Sequence, residues 1–395
     1  MKKTKIITSI GPASNEPEVF EKMVLNGANV ARINFSHATI EERENAVSTV
    51  KKVRNKLNTN IAILYDTKGP EFRNGNLEGD EINLVPGKTI KIVKDKVLGN
   101  EERFSVNYPE VLDNLEVGNT ILLENGLMKI EVIEKEEDFV NCKIISGGVL
   151  GNKKSLNVPN EVSDGIMVAR GDLGVEVPMT KLPIYQKKLI EKCREKGKVC
   201  VVATEMLESM KKNLRPTRAE VSDVANAVLD GTDAVMLSGE TTSGKYPVET
   251  VKYMSDICIE AEKYYDNSFR NKTKTGVTET IVASVVESSK IFDIKVVVAS
   301  TVSGYSARGI SNLKPDCYIL ATCTTSEVAR SLALNYGVIT TVVPFVHSAD
   351  EVVEIAREEA IRVFDLKKND KILITGGFSK NTEKRITNFM KIEEI

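Results

Sequence analysis

A short apolar run recurs six times in the first two-thirds of this chain, and five of the six are followed by a stretch of helical period. Alternation at that spacing restricts it to parallel βα units. The apolar runs span residues 4–11, 29–35, 61–65, 165–169, 199–203 and 234–237, with helices expected over 17–27, 40–57, 183–196, 217–229 and 247–265. Polar residues collect where the runs end: Arg32, Asn34 and Ser36; Asp66 and Thr67; Arg170, Gly171 and Asp172; Thr204; Ser238 and Glu240. One polar strand end is an ordinary turn, and Arg170-Gly171-Asp172 alone reads as no more than that. The same placement at strand after strand marks a site, because a barrel brings all its carboxyl ends to one face.

The alternation is broken once. Residues 72–155 show short alternating runs separated by turns such as Val85-Pro86-Gly87, with no long helical period, which predicts a small all-β domain inserted after the third strand. After a polar, basic linker over 267–275 the βα pattern returns. Helices are expected at 277–290, 305–312, 326–336 and 350–364, and strands at 295–299, 317–321, 338–343 and 371–375, an open doubly wound α/β domain.

Composition narrows the chemistry. Lys plus Arg is 54 and Asp plus Glu is 56, so no general electrostatic pull toward nucleic acid or membrane is expected. The first ten residues hold an apolar run too short for a signal peptide, and no run reaches membrane-spanning length, so a soluble, cytoplasmic protein is expected. The six cysteines form no CxxC pair and read as reduced, small core residues. With only His37 and His347 present, carboxylates, cations and hydroxyls must carry any site. Such a set suits phosphoryl transfer on a metal, which depends on positioning and charge neutralisation. Asp172 is suited to Mg²⁺, Arg32 offers a forked donor for phosphate, and Asn34, Ser36, Asp66 and Thr67 offer oxygens for a monovalent cation.

Several longer motifs closely resemble the pyruvate kinase family. They are Arg32-Ile-Asn-Phe-Ser-His37, Asp66-Thr-Lys-Gly-Pro-Glu-Phe-Arg73, Ser163-Asp-Gly-Ile-Met-Val-Ala-Arg-Gly-Asp-Leu-Gly174 and Ala203-Thr-Glu-Met-Leu-Glu-Ser-Met210. Arg215-Pro-Thr-Arg-Ala-Glu220, Asp223-Val-Ala-Asn-Ala-Val228 and Met236-Leu-Ser-Gly-Glu-Thr241 extend the likeness nearly end to end. The resemblance implies a TIM-type (β/α) barrel over residues 1–69 and 156–266, an inserted β-barrel domain over 70–155 and a C-terminal α/β regulatory domain over 267–395. It implies phosphoryl transfer from phosphoenolpyruvate to ADP, giving pyruvate and ATP.

Residue by residue, the resemblance puts Arg32 on the phosphoryl group and Gly171, Asp172 and Thr204 on substrate, with Arg32, Asp172 and Thr204 catalytic. Asp172 would be a ligand to Mg²⁺, and Asn34, Ser36, Asp66 and Thr67 would hold K⁺, with Glu71 the residue that accompanies K⁺ dependence. Asn34, Arg73 and Lys154 would meet the nucleotide. Thr301, Ser303, Gly304 and Ser306 match a sugar-phosphate effector loop, and a homotetramer is implied.

The chain also departs from the family pattern. Two βα units, roughly 60–70 residues, are missing between Asn160 and Glu161, so a barrel lacking two strands is expected. With them goes the family's catalytic lysine and the glutamate two residues on that is the second Mg²⁺ carboxylate. Glu205 stands where the family has glutamine, Ser306 where it has threonine, and residues 378–385 lack its glycine-rich pattern. Two readings stay open: a pyruvate kinase impaired by this gap, and a catalytically inactive relative that binds phosphorylated metabolites.

Overall fold

The computed structural model describes residues 1–36, 38–67, 72–124, 126–157, 164–265, 276–346, 348–377 and 386–395. Both histidines, Glu71, the junction at 158–163, the 267–275 stretch and the 378–385 loop lie outside the described residues. The chain forms two compact units, one of residues Met1–Asp66 with Asp164–Ile395 and the other of Thr67–Ser163.

The first unit is built on a curled, six-stranded parallel sheet. In spatial order its strands are Gly165–Ala169, Val199–Ala203, Ala234–Leu237, Lys5–Ser9, Val30–Asn34 and Ala62–Asp66. Because the inner strands are covered on both faces, they read as unbroken apolar runs rather than as alternation. Ile6, Ile33, Val202 and Val235 pack outward on Phe20, Met23, Val50 and Ile190 of the flanking helices. Their neighbours Ile7, Val30, Val201 and Met236 point the other way and form the inner layer. Ala62–Asp66 and Gly165–Ala169 are the two edges of the sheet.

The same unit carries a second sheet of five strands, in the order Val338–Val342, Tyr318–Cys323, Ile294–Thr301, Lys371–Gly376 and Phe389–Glu394. Only the last pairs antiparallel. Val297 and Ala299 face helices Val277–Ile291 and Tyr305–Asn312, while Val296 and Val298 face helix Ala349–Phe364. Helices on both faces make this the doubly wound arrangement expected from the alternation. It is fastened to the amino ends of the barrel strands: Lys314 Nζ lies 2.7 Å from Asp233 Oδ1, and Asn312 Nδ2 donates to Gly197 O at 3.0 Å.

One helix is shorter than its sequence suggests. The expected 326–336 helix ends at Ser331, and the chain then unwinds so that Ala333 and Leu334 pack on the inner layer of the barrel sheet. That packing, with the Gly337 N–H donated to Lys3 O at 2.9 Å, overrides the local helical preference.

The second unit is all β. A seven-stranded sheet and a two-stranded sheet alternate buried and exposed residues over a core that includes Phe104, Ile92, Ile130 and Val140. No helix of the described residues is long and apolar enough to cross a membrane.

Candidate active site

The carboxyl ends of the barrel strands gather most of the residues singled out by sequence. Arg32 and Asn34 end one strand and Asp66 ends its neighbour, with Asn34 directly opposite Asp66 in the parallel ladder. Arg32 is held from two sides. Its Nη1 donates to Ser9 Oγ at 2.8 Å, and its Nε donates to Asp66 Oδ2 at 2.9 Å, with Nη2 closing a salt bridge to the same carboxylate. Asn34 Oδ1 accepts the Ser36 N–H at 2.8 Å, which folds Ser36 back toward the strand end. Thr67 follows Asp66 and is the first residue of the other unit. A cavity of about 400 Å³ opens beside Arg32 and Asn34, lined also by Ser9, Gly11, Pro12 and Thr242.

Across the sheet, Arg170-Gly171-Asp172 is not a turn but the start of a short helix, Arg170–Glu176. The reason is Arg170, whose side chain is only 7% exposed. Its Nη2 donates to Thr204 O at 2.7 Å and Glu205 O at 3.0 Å, and its Nη1 to Asp223 Oδ2 at 2.6 Å. Thr204 and Glu205 both adopt left-handed backbone, φ 69° and 53°. Two such residues in succession cost roughly 1–3 kcal/mol each, so surrounding bonds must hold them. The Gly171 N–H donates to Thr204 Oγ1 at 2.8 Å, and that hydroxyl donates to Ala203 O at 2.6 Å. Gly171 and Thr204 are thus brought together, with the exposed Asp172 next in the helix.

Glu240 is fully buried at the end of the neighbouring strand, where it accepts the Ser238 N–H at 2.8 Å and the Leu207 N–H at 3.1 Å. Its carboxylate is a structural clamp on two loops. Ser9 and Asp223 are site-building residues that the strand-end pattern does not single out, and Arg170, part of the strand-end cluster in the sequence, serves the site by holding its backbone. Its trace in the sequence is a cation immediately after an apolar strand.

The other candidates fall elsewhere. In the all-β unit, Arg73 pairs with Ser155 across an antiparallel ladder, which puts it beside Lys154 despite 80 intervening positions. Lys154 Nζ lies 2.7 Å from Glu124 Oε1, and Arg73 Nη1 donates to Lys153 O at 2.8 Å. In the five-stranded sheet, Thr301 ends a strand and its Oγ1 accepts the Gly304 N–H at 2.9 Å. Gly304 has φ 82°, a conformation that favours glycine, while Ser303 is exposed and Ser306 is buried in the helix that follows.

For metals, Asn34 stands opposite Asp66 in the ladder and Ser36 folds back on Asn34 Oδ1, while one Asp66 oxygen is already committed to Arg32. Among the described residues no group of three or more His, Cys, Asp or Glu side chains is placed to hold a metal ion.

Comparison with known proteins fits this geometry. The barrel-domain model of pyruvate kinase matches residues 1–162 and 160–251, and the pyruvate kinase alpha/beta-domain model matches 279–393. The chain is 36% identical to the pyruvate kinase of Geobacillus stearothermophilus, covering 100% of this chain and 80% of the relative. It is 37% identical to that of Staphylococcus epidermidis, covering 100% and 81%. A crystal structure of a pyruvate kinase from Cryptosporidium parvum superimposes with a TM-score of 0.71 at 32% identity, covering 100% of this chain and 96% of the other. The Geobacillus alignment runs over 473 positions for a chain of 395, so 78 positions face no residue here. The barrel-domain match breaks at 160–162, where the sequence places its gap. With both family models matched along most of its length, the chain belongs to the pyruvate kinase family.

Proposed function

We propose that the inherited reaction of this chain is phosphoryl transfer from phosphoenolpyruvate to ADP, and that the chain retains the substrate-binding half of the machinery. The observation that supports this most is the gathering of Arg32, Asn34, Asp66, Gly171 and Thr204 at the carboxyl ends of one sheet. Arg32 spends three of its five N–H donors on Ser9 and Asp66, which orients the fork and leaves two for phosphoryl oxygens. Thr204, whose hydroxyl is fixed between the Gly171 N–H and Ala203 O, would bind substrate together with Gly171 and Asp172. Asp172 would hold Mg²⁺, and Asn34, Ser36, Asp66 and Thr67 would hold K⁺. Bound there, the cations supply neutralisation of the substrate's charge. Arg73 and Lys154 would bind the nucleotide, with Asn34 contributing from the strand end. Thr301, Ser303, Gly304 and Ser306 would take a sugar phosphate, and a cytoplasmic homotetramer is the expected setting.

Turnover is a separate matter. Among the described residues no strand pairs with the open edge of Ala62–Asp66 or of Gly165–Ala169, where the family resemblance would put a lysine and a second Mg²⁺ carboxylate. Losing one electrostatic stabiliser commonly costs ~10²–10³ in rate, so this chain is a binder and at best a slow catalyst. Calorimetric titration with phosphoenolpyruvate in Mg²⁺ and K⁺ tests the binding half. Saturable binding is expected, with Arg32→Gln weakening it about 10–100-fold through the lost charged hydrogen bonds. Absence of binding at millimolar substrate would refute the proposal.

A further inference from the structure

We propose that the opening in the barrel sheet is a docking site for a separate polypeptide of two parallel βα units, the segment that relatives carry within their own chains. The inference rests on family membership and on the sheet, not on the activity proposed above.

Both edges of the opening are prepared for parallel pairing. Ala62–Asp66 pairs in parallel with Val30–Asn34, and Gly165–Ala169 with Val199–Ala203; among the described residues neither has a second ladder. Their side chains tell the same story. The inner strands Lys5–Ser9 and Ala234–Leu237 are buried at every position. By contrast, no residue of Ala62–Asp66 is buried, with Tyr65 52% exposed, and in Gly165–Ala169 only Val168 is buried while Ile166 is 38% exposed. Apolar strands with an unpaired edge are templates for further strand addition.

The size of what is absent fits the opening. A parallel barrel closes at eight strands and uses about 30 residues per βα unit, so two units need about 60 residues plus their connections. The Geobacillus alignment leaves 78 positions without a residue here, enough for that length, and the barrel-domain match breaks at 160–162, between the two edge strands. A second copy of this chain fits less well. Two-fold pairing sets an edge antiparallel to its own counterpart, whereas both edges here continue a parallel sheet. Strands entering in parallel would also deliver their carboxyl ends to the face that holds Asp66 and Gly171.

The test is co-expression, and mixing, of the full chain with the stretch of the Geobacillus stearothermophilus enzyme that aligns at the 160–162 break. Hydrogen exchange is then followed at 62–66 and 165–169. The expected result is a 1:1 complex on gel filtration and exchange slowed at least about tenfold at both edges. The same stretch with prolines in its strands should give neither. No complex and unchanged exchange at both edges would overturn the proposal. So would edges already protected in a self-associated form of the chain alone, which would name a second copy as the occupant. A complex that forms without gaining turnover would leave the docking proposal standing and count against the activity.

Discussion

Arg170 shows how far the site depends on single residues that carry no chemistry themselves. Its guanidinium satisfies the carbonyls of Thr204 and Glu205, which are held in left-handed backbone, and pairs with Asp223. Arg170→Met should lower stability by roughly 2–4 kcal/mol, because buried carbonyls lose their donors, and should weaken substrate binding by releasing Thr204. Arg170→Lys should restore little of either, since a point charge cannot serve three acceptors as a fork does. Thermal unfolding and titration on the two variants check this. Lys5 makes a different prediction. Burial first, then the neighbouring charge of Lys2, pushes its ammonium down to about 7 from its ordinary 10.5. The unfolded chain therefore binds more protons between pH 7 and 10.5, so this residue's penalty is complete below pH 7 and fades as pH rises. Lys5→Met should flatten the pH dependence of stability across that window by ~2–4 kcal/mol, measured as denaturation midpoints from pH 7 to 10.

At the scale of elements, most of the secondary structure was legible because the βα alternation is strong and both sheet faces are buried. The helix Ile40–Leu57 and the strands Val199–Ala203 and Ala234–Leu237 fall where the apolar runs and caps place them. Three features were not legible, each set by distant contacts. The helix at Arg170 forms because its first side chain reaches carbonyls 34 residues away. The helix starting at Ser326 stops early because Ala333 and Leu334 serve the barrel's inner layer. The edge strand Phe389–Glu394 is too charged on its open side to read as a strand until Lys371–Gly376 pairs with it. Of the site, the strand-end residues, Glu240 among them, were readable, while the clamps by Ser9 and Asp223 and the structural role of Glu240 were not, since only folding brings their partners near. Thr39 caps the helix beyond the Asn34–Ser36 strand end through a reciprocal bond with Glu42. Thr39→Ala should cost about 1 kcal/mol and lower Tm by about 2 °C, with faster exchange confined to that helix's first turns.

For the molecule as a whole, two features dominate: the way the five-stranded domain is fastened to the barrel, and the opening in the barrel itself. The fastening centres on Lys314 and Asp233, both nearly inaccessible, with Lys314 Nζ 4.1 Å from the Tyr336 ring centroid and Asp233 also accepting the Cys200 N–H. Removing one partner of a buried pair leaves the other charge uncompensated, so Lys314→Met should cost about 3–5 kcal/mol and separate the unfolding of the two sheets in calorimetry. The opening bears on the proposal that this member of the pyruvate kinase family keeps a substrate-binding face while its turnover is impaired. The most direct test is steady-state pyruvate formation from phosphoenolpyruvate and ADP with Mg²⁺ and K⁺, run beside the Geobacillus stearothermophilus enzyme. A kcat lower by at least ~10²–10³ is expected. A kcat within about tenfold of the relative would contradict it.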